Sequence, residues 1–97
     1  MTDEGLRRQI AELAADSSRV VVTEGHAKPR MVERKVTLPQ VLEVLRHGAV
    51  HEPAHQDLRT GDWRCTLQRR VAGDLLRVAC AVHEGKVIVV TVMRARG

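Results

Sequence analysis

The chain of 97 residues predicts an α+β fold, in which N-terminal helices pack on one face of a twisted antiparallel sheet in the order α-β-α-α-β-β-β. Two observations carry this prediction. Apolar residues recur at helical spacing in the first half of the chain, whereas in the last third they alternate with polar residues, as in strands that have one solvated face. The length leaves room for one core, so we expect residues 1–97 to form a single domain.

The N-terminal segment predicts a helix followed by a strand. Leu6, Ile10 and Leu13 form the apolar stripe of an amphipathic helix over residues 3–15. Polar residues then end the helix. The β-branched run that follows, over residues 19–23, favours a strand.

Two further helices are predicted in the first half of the chain. Proline is tolerated only in the first turn of a helix, so the second helix starts either close to His26 or at Pro29 itself. In the second case His26 lies on the entry loop. Thr37 and Gln40 have the spacing of a capping box, which predicts a third helix over residues 38–47.

The last third of the chain predicts a β-meander. Residues 49–62 contain Pro and Gly and indicate a short extended piece and a loop. Apolar and polar residues alternate over residues 63–70 and again over residues 76–83, with a Gly-Asp turn between them. The final strand, residues 87–93, is apolar on both faces except at Thr91, so we expect it to be central in the sheet.

The composition favours a polyanionic partner. Sixteen Lys and Arg against twelve Asp and Glu give a net charge of +4, which attracts polyanions through long-range fields and counterion release. Lys28, Lys35 and Lys86 are the only lysines, so most of the positive charge is Arg, which binds phosphate oxygens bidentately. A general bias toward Arg would give the same composition, so charge alone does not identify the partner.

The remaining composition favours a cytoplasmic protein. Cys65 and Cys80 are expected to be buried free thiols in a reducing compartment. The first residues are acidic and lack the pattern of a signal peptide. The longest apolar runs, residues 20–22 and 87–90, are much shorter than the roughly 20 residues that cross a bilayer, so no membrane contact is expected.

The segment from His26 to Arg34 concentrates side chains that suit a phosphate site. On a helix, at about 100° per residue, His26, Arg30, Glu33 and Arg34 fall on one stripe. Arg offers a planar fork to phosphate oxygens, His exchanges protons near neutral pH, and Glu can orient either of them. RNA is therefore the first substrate to consider. The alternative is a solvated helix face that carries an i, i+3 or i, i+4 ion pair.

A metal site is not predicted. His47, His51 and His55 recur every four residues and would align on a continuous helix, as zinc ligands can. Gly48 and Pro53 interrupt that helix. Because no Cys or carboxylate has supporting spacing, we expect neither a metal nor another cofactor.

Four segments together resemble a known bacterial family. They are His-Ala-x-x-Arg-Met-x-x-Arg at 26–34, Leu-Arg-x-Gly at 45–48, Gly-Asp-Leu-Leu-Arg-Val at 73–78 and Val-Ile-Val-Val-Thr-Val at 87–92. Their order is similar to that of the family called domain of unknown function 4258, which is placed among RelE-type toxin folds and related small ribonucleases. The resemblance covers a core of residues 19–93 and leaves residues 1–16 as a helical extension.

The resemblance implies a fold like those of RelE and barnase and, by analogy, a metal-independent endoribonuclease. It also implies the toxin half of a toxin–antitoxin system, with an acidic antitoxin protein covering the basic face. Similar chains often carry an aromatic residue near the end of the last strand, where this chain has Met93. Trp63 is the only aromatic residue and so the only one available to stack a base.

Metal-free cleavage of RNA needs a base for the 2′-hydroxyl, cations for the phosphorane and an acid for the leaving oxygen. The expected catalytic residues are His26, Arg30, Arg34 and His83. The expected substrate-binding residues are Glu33, Arg64, Arg77 and Thr91. Two alternatives to the enzyme remain: a module that only binds RNA or protein, and a polar stripe that is purely structural.

Overall fold

The computed structural model describes residues 1–95, which form helices in the first half of the chain and a five-stranded sheet. The helices are α1 (Asp3–Ala14), α2 (Ala27–Arg34) and α3 (Leu38–His47), with a 3-10 turn at Ser17–Arg19. The strands are β1 (Val20–Val22), β2 (Ala49–Gln56), β3 (Trp63–Val71), β4 (Asp74–His83) and β5 (Lys86–Ala95). The predicted α+β class and the packing of the helices against the sheet are confirmed.

The sheet is mixed and not wholly antiparallel as predicted. Its strand order is β1-β5-β4-β3-β2, and β2 to β5 pair antiparallel with their neighbours in sequence. In contrast, β1 runs parallel to β5, with Val20 opposite Val87. Hairpin turns force antiparallel pairing, but no turn joins β1 to β5, so the pattern of a three-residue strand could not predict its direction. The last strand was predicted to be central; β5 lies between β1 and β4 and so is not an edge strand, but the middle strand of the five is β4.

The segment predicted as a short extended piece is a full strand. Residues Ala49–Gln56 form β2, an edge strand that pairs with β3 through two register shifts. Most of its side chains are exposed, so the strand lacks the alternating pattern that reveals a half-buried strand. Pro53 falls within the irregular part of the pairing, as expected of proline in an edge strand.

The core lies between the three helices and one face of the sheet. Leu67, Val78 and Val92 are opposite one another on neighbouring strands and are fully buried. The helices contribute Leu6, Ile10, Ala14, Ala27, Val41, Val44 and Leu45 to the same cluster. The apolar stripe of α1 is therefore part of the core layer.

Local capping contacts stabilise the helix ends. The predicted capping box of α3 is present: Gln40 N donates to Thr37 Oγ1 over 3.3 Å, and Thr37 N donates to Gln40 Oε1 over 2.9 Å. Arg46 Nε donates to the Ala14 carbonyl over 2.7 Å and so joins α3 to the end of α1. No helix within residues 1–95 has the length and apolar character needed to cross a membrane.

Candidate nucleic-acid interface

The face of the sheet that points away from the helices carries polar side chains on its three longest strands. We call it the open face. Its residues, read from the strand register, are Arg64, Thr66, Gln68, Arg77, Ala79, Ala81, Ile88, Thr91 and Met93. They alternate with the core residues because successive side chains of a strand point to opposite faces.

The middle of the open face is a floor of small side chains. Thr66, Ala79 and Thr91 lie opposite one another on β3, β4 and β5, so the row from Thr66 to Thr91 spans about 10 Å across the strands. Ala81 follows in the next open-face position of β4 and is buried. Longer side chains flank these residues, so the open face can accept a ligand that lies flat against the sheet.

Arg77 provides a cation beside this floor. In the register it lies between Gln68 and Met93, one row from Thr91. Its Nε donates to Gln68 Oε1 over 3.2 Å, and its guanidinium forms no ion pair with any residue in the range 1–95. The terminal nitrogens therefore keep their charge and their donors for an outside anion.

Arg64 provides a second cation at the other side of the floor. Its Nε lies 3.5 Å from Asp57 Oδ2 and is buried without a hydrogen bond to any residue in the described part of the chain. The pKa of Asp57 is lowered, first by hydrogen bonds from the backbone of Arg59 and Thr60 and then by the charge of Arg64. The carboxylate thus holds the turn after β2 and remains charged beside Arg64.

His83 is on the open-face side of β4 but far from Arg77. Its Nδ1 lies 2.9 Å from Asp62 Oδ1 and its Nε2 3.7 Å from Glu84 Oε1. The hydrogen bond to Asp62 and the charge of that carboxylate raise the pKa of His83. Six residues of extended strand, about 20 Å, separate His83 from Arg77, so these two predicted residues do not meet at one phosphate.

His26 immediately precedes α2, so it lies on the entry to the helix and not on the helix itself. Its side chain forms no capping hydrogen bond and is exposed. Thr23 caps the helix instead, because Ala27 N donates to Thr23 Oγ1 over 3.0 Å and Lys28 N donates to the Thr23 carbonyl over 3.0 Å. No signal in the sequence pointed to Thr23, which lies four residues before α2.

The other polar residues of α2 divide between two environments. Arg30 Nη1 lies 2.9 Å from Glu33 Oε2, and both side chains are about half exposed, which is the solvated ion pair of the alternative interpretation. Arg34 is half-buried, and its Nη1 donates to the Val92 carbonyl over 2.7 Å. Because β1 pairs only with the start of β5, this contact covers the part of the β5 edge that β1 leaves open.

Arg34 reaches the margin of the open face. Its partner Val92 lies between Thr91 and Met93, which both belong to that face. Arg94 of β5 holds the C-terminal end of α2 by donating hydrogen bonds to the carbonyls of Arg34 and Lys35. The guanidinium of Arg34 is therefore held at the outer edge of β5.

Of the predicted site residues, the structure brings Arg34, Arg64, Arg77 and Thr91 to the open face or its margin. His26, Arg30 and Glu33 remain on the solvent side of α2, and His83 lies at the far end of β4. Thr66 and Gln68 also belong to the open face, and the alternating pattern of the strand could have identified both. The aromatic residue is not available there, because Trp63 packs against the core.

Two other features lie away from this surface. A cleft of about 500 Å³ lies where α1, the end of α3 and the start of β2 meet, and it is lined by Asp3, Glu4, Arg7, His47, Gly48, Ala49 and Val50. It includes none of the predicted site residues. Within residues 1–95, no group of three or more His, Cys, Asp or Glu is arranged to hold a metal ion.

Comparison with known proteins identifies a family. Residues 15–94 match the model of the family described as Domain of unknown function (DUF4258). No curated protein matches the chain.

Proposed function

The chain belongs to the DUF4258 family of domains of unknown function, and we propose that it is an RNA-binding domain that binds the RNA backbone on the open face. One observation carries the proposal: Arg34, Arg64 and Arg77 lie on or beside one sheet surface, whose floor includes the partly exposed side chain of Thr91. Guanidinium groups suit phosphate oxygens.

The polar groups of the floor favour RNA over other polyanions. A 2′-hydroxyl both donates and accepts a hydrogen bond, and it is the group by which a protein distinguishes RNA from DNA. Gln68 lies directly opposite Arg77, and Thr91 lies in the adjacent row of the open face. A ribose beside a phosphate bound to Arg77 would therefore find partners for its 2′-hydroxyl.

The binding that we propose is electrostatic and weakly selective for base sequence. No aromatic side chain lies on the open face, since Trp63, the single aromatic residue, packs against the core. Stacking of bases on aromatic rings, which adds affinity in many single-strand binders, is then absent. Contacts to phosphate and sugar position a nucleic acid without reading its sequence.

The test is the affinity of a labelled single-stranded RNA, measured by fluorescence anisotropy over a range of salt concentrations. Arg77→Ala is expected to weaken binding by about tenfold, the loss of one charge-assisted contact. It should also reduce the slope of log K against log salt by about 0.7, because one phosphate contact is lost. The matched control is Arg8→Ala, which removes the same charge from the exposed side of α1.

Two results would contradict the proposal. In the first, Arg77→Ala and Arg8→Ala lower the affinity equally, so that net charge alone explains the binding. In the second, DNA of the same sequence binds as tightly as RNA, which removes the role assigned to Thr91 and Gln68.

A second candidate function, metal-independent cleavage of RNA by a RelE-like toxin, is favoured by the contact between His83 and Asp62. The carboxylate raises the pKa of His83, so more of the imidazole carries the proton that a general acid needs near neutral pH. His26 would contribute from the entry to α2 and Arg30 and Arg34 from the helix itself, with Glu33 orienting Arg30. An acidic antitoxin would cover the open face and block access to RNA.

Cleavage is tested by incubating labelled RNA with the protein in the presence of EDTA. If this candidate is right, the parent cleaves, and His83→Ala and His26→Ala each reduce the rate at least a hundredfold while RNA binding persists. Cleavage that survives both substitutions contradicts the assignment of these residues. Salt-sensitive binding without cleavage by the parent leaves RNA binding as the function.

A further inference from the structure

Two cysteines face each other across β3 and β4. Cys65 and Cys80 are directly opposite in the strand register, and both are free thiols with at most 3% of their surface exposed. They lie on the core side of the sheet, so neither takes part in the RNA surface on the opposite side. They are the pair of nucleophilic groups that the proposed function leaves unused.

The register suits a covalent bond between the two sulfurs. Opposite residues of an antiparallel pair have Cα atoms about 4.5 or 5.5 Å apart. Disulfides join residues whose Cα atoms are about 4.4–6.8 Å apart. The Cα spacing of this pair therefore lies within the range that a disulfide accepts.

The two thiols already interact. The pKa of Cys65 is lowered, chiefly by a hydrogen bond from Cys80, whereas the same contact and burial raise the pKa of Cys80. Cys80 Sγ also approaches the Cys65 carbonyl at 3.8 Å. The charged group near Cys65 is Asp3 of α1, which opposes thiolate formation. Cys65 is thus the thiol of the pair that more readily becomes the nucleophile.

We propose that Cys65 and Cys80 form a modification site at which a peroxide converts the two thiols into an intramolecular disulfide between β3 and β4. The Cys65 thiolate attacks one peroxide oxygen and becomes a sulfenic acid, and the other oxygen leaves as hydroxide and takes up a proton to give water. The Cys80 thiolate then attacks the Cys65 sulfur, and the hydroxyl leaves as a second water. Two thiols and one hydrogen peroxide give one disulfide and two waters.

The disulfide stabilises the sheet under oxidising conditions. It joins residues fifteen positions apart and so restricts the unfolded chain, an effect expected to raise Tm by on the order of 10 °C. The cross-linked strands are the ones that carry Arg64 and Arg77 on the other face. The disulfide proposal is independent of RNA binding, because it is tested by free-thiol content, mass and Tm, without RNA.

The experiment treats the folded full-length chain with hydrogen peroxide and then counts free thiols and measures the intact mass. We expect both thiols to disappear together, with the mass of the monomer reduced by two hydrogen atoms and Tm raised. A thiol reductant should reverse all three changes. Cys65→Ala and Cys80→Ala are the matched controls, and neither should show a rise in Tm after the same treatment.

Three outcomes would overturn the proposal. They are a monomer that gains oxygen atoms on its sulfurs, a disulfide formed only between chains, and thiols that remain free until the protein unfolds. All three are read from the parent protein, so the result does not depend on whether the alanine variants fold.

Discussion

Gly48 joins α3 to β2 at a point where the backbones of α3 and β3 leave no room for a side chain. A Cβ at this position would collide with the carbonyl oxygen of Val44 and lie 3.0 Å from that of Gln68. The backbone of Gly48 is in an ordinary extended conformation, with φ of −72°, so the constraint is steric and not conformational. Gly48 therefore allows β2 to start directly beside β3.

We expect Gly48→Ala to lower the free energy of unfolding by about 1–3 kcal/mol, because two backbone carbonyls must move to admit the methyl group. Denaturant unfolding followed by circular dichroism measures the change. Gly25→Ala is the control, since a Cβ at Gly25 meets no atom within 4 Å. Equal effects of the two substitutions would contradict the steric explanation.

The contact between His83 and Asp62 predicts a pH-dependent contribution to stability. The pKa of His83 is raised above 6.5 in the folded protein by the hydrogen bond to Asp62 and by its charge. A raised folded-state pKa means that the contribution is fully present below about pH 6.5 and is lost as pH rises through the folded-state pKa. Above that value, His83 is neutral in both states and contributes nothing.

Asp62→Asn is therefore expected to lower Tm at pH 5.5 and to leave it nearly unchanged at pH 8.5. Thermal unfolding at the two pH values measures the difference. Glu12→Gln, on the exposed side of α1, is the control for the change in net charge. A Tm difference between parent and Asp62→Asn that is the same at both pH values would show that the imidazolium is not involved.

Among the helices, α3 has the N-terminus with the most complete set of capping hydrogen bonds. Thr37 and Gln40 exchange two hydrogen bonds at its start, and these satisfy backbone N–H groups that otherwise lack a partner. In α2 the residue at the equivalent position, His26, makes no such contact. The two helices thus offer a comparison between a side chain that caps and one that does not.

Thr37→Ala is expected to lower the free energy of unfolding by about 1 kcal/mol, which corresponds to a fall in Tm of about 4–8 °C in a domain of this size. His26→Ala should change the free energy of unfolding by less than about 0.5 kcal/mol, as for other exposed residues. Thermal unfolding of both variants measures the contrast. A large loss with His26→Ala would imply a contact that the folded protein does not otherwise reveal.

The elements differ in how well the sequence predicted them. The spacing of apolar residues and the capping box predicted α1 and α3 to within one or two residues, because both signals come from neighbours along the chain. The alternating pattern predicted β3 and β4 for the same reason. The pattern failed for β2, whose mostly exposed side chains have no buried face to mark it.

At the scale of the whole molecule, α1 belongs to the core although the family match begins at residue 15. Leu6, Ile10 and Ala14 are fully buried against α3 and the sheet. Asp3 at the start of the same helix accepts a hydrogen bond from Ala54 N of β2 over 2.8 Å. Without α1, the part of the core that packs against this helix would face solvent.

A chain that lacks residues 1–15 is therefore expected to lose its cooperative unfolding transition. Removing a single buried leucine costs about 2–5 kcal/mol, whereas the whole stability of a domain is about 5–15 kcal/mol. Circular dichroism on heating measures the loss. Leu6→Ala gives a graded version of the test, with Arg8→Ala as its exposed control. A truncated chain that unfolds cooperatively near the Tm of the parent would make α1 dispensable.

The candidate site shows where inference from sequence stops. The ion pair between Arg30 and Glu33 was foreseen as the alternative to a phosphate site, because residues three apart on a helix are neighbours whatever the fold. The alternation of β3 and β4 likewise put Arg64 and Arg77 on solvated positions. These features depend on residues that are close along the chain, and so the chain alone was enough to predict them.

Contacts between distant segments required the folded structure. Arg34 donates to the carbonyl of Val92, which lies 58 positions away in the sequence. Because of this contact, the guanidinium of Arg34 lies at the margin of the open face and not on the solvated stripe that was predicted for α2. The parallel pairing of β1 with β5 and the distance of His83 from Arg77 follow from the same packing. A pattern of residue types reports which face of an element is buried, but not which element covers it. For that reason, the sequence could name the charged residues of this protein, and only the packing of α2 against β5 could determine which of them share a surface.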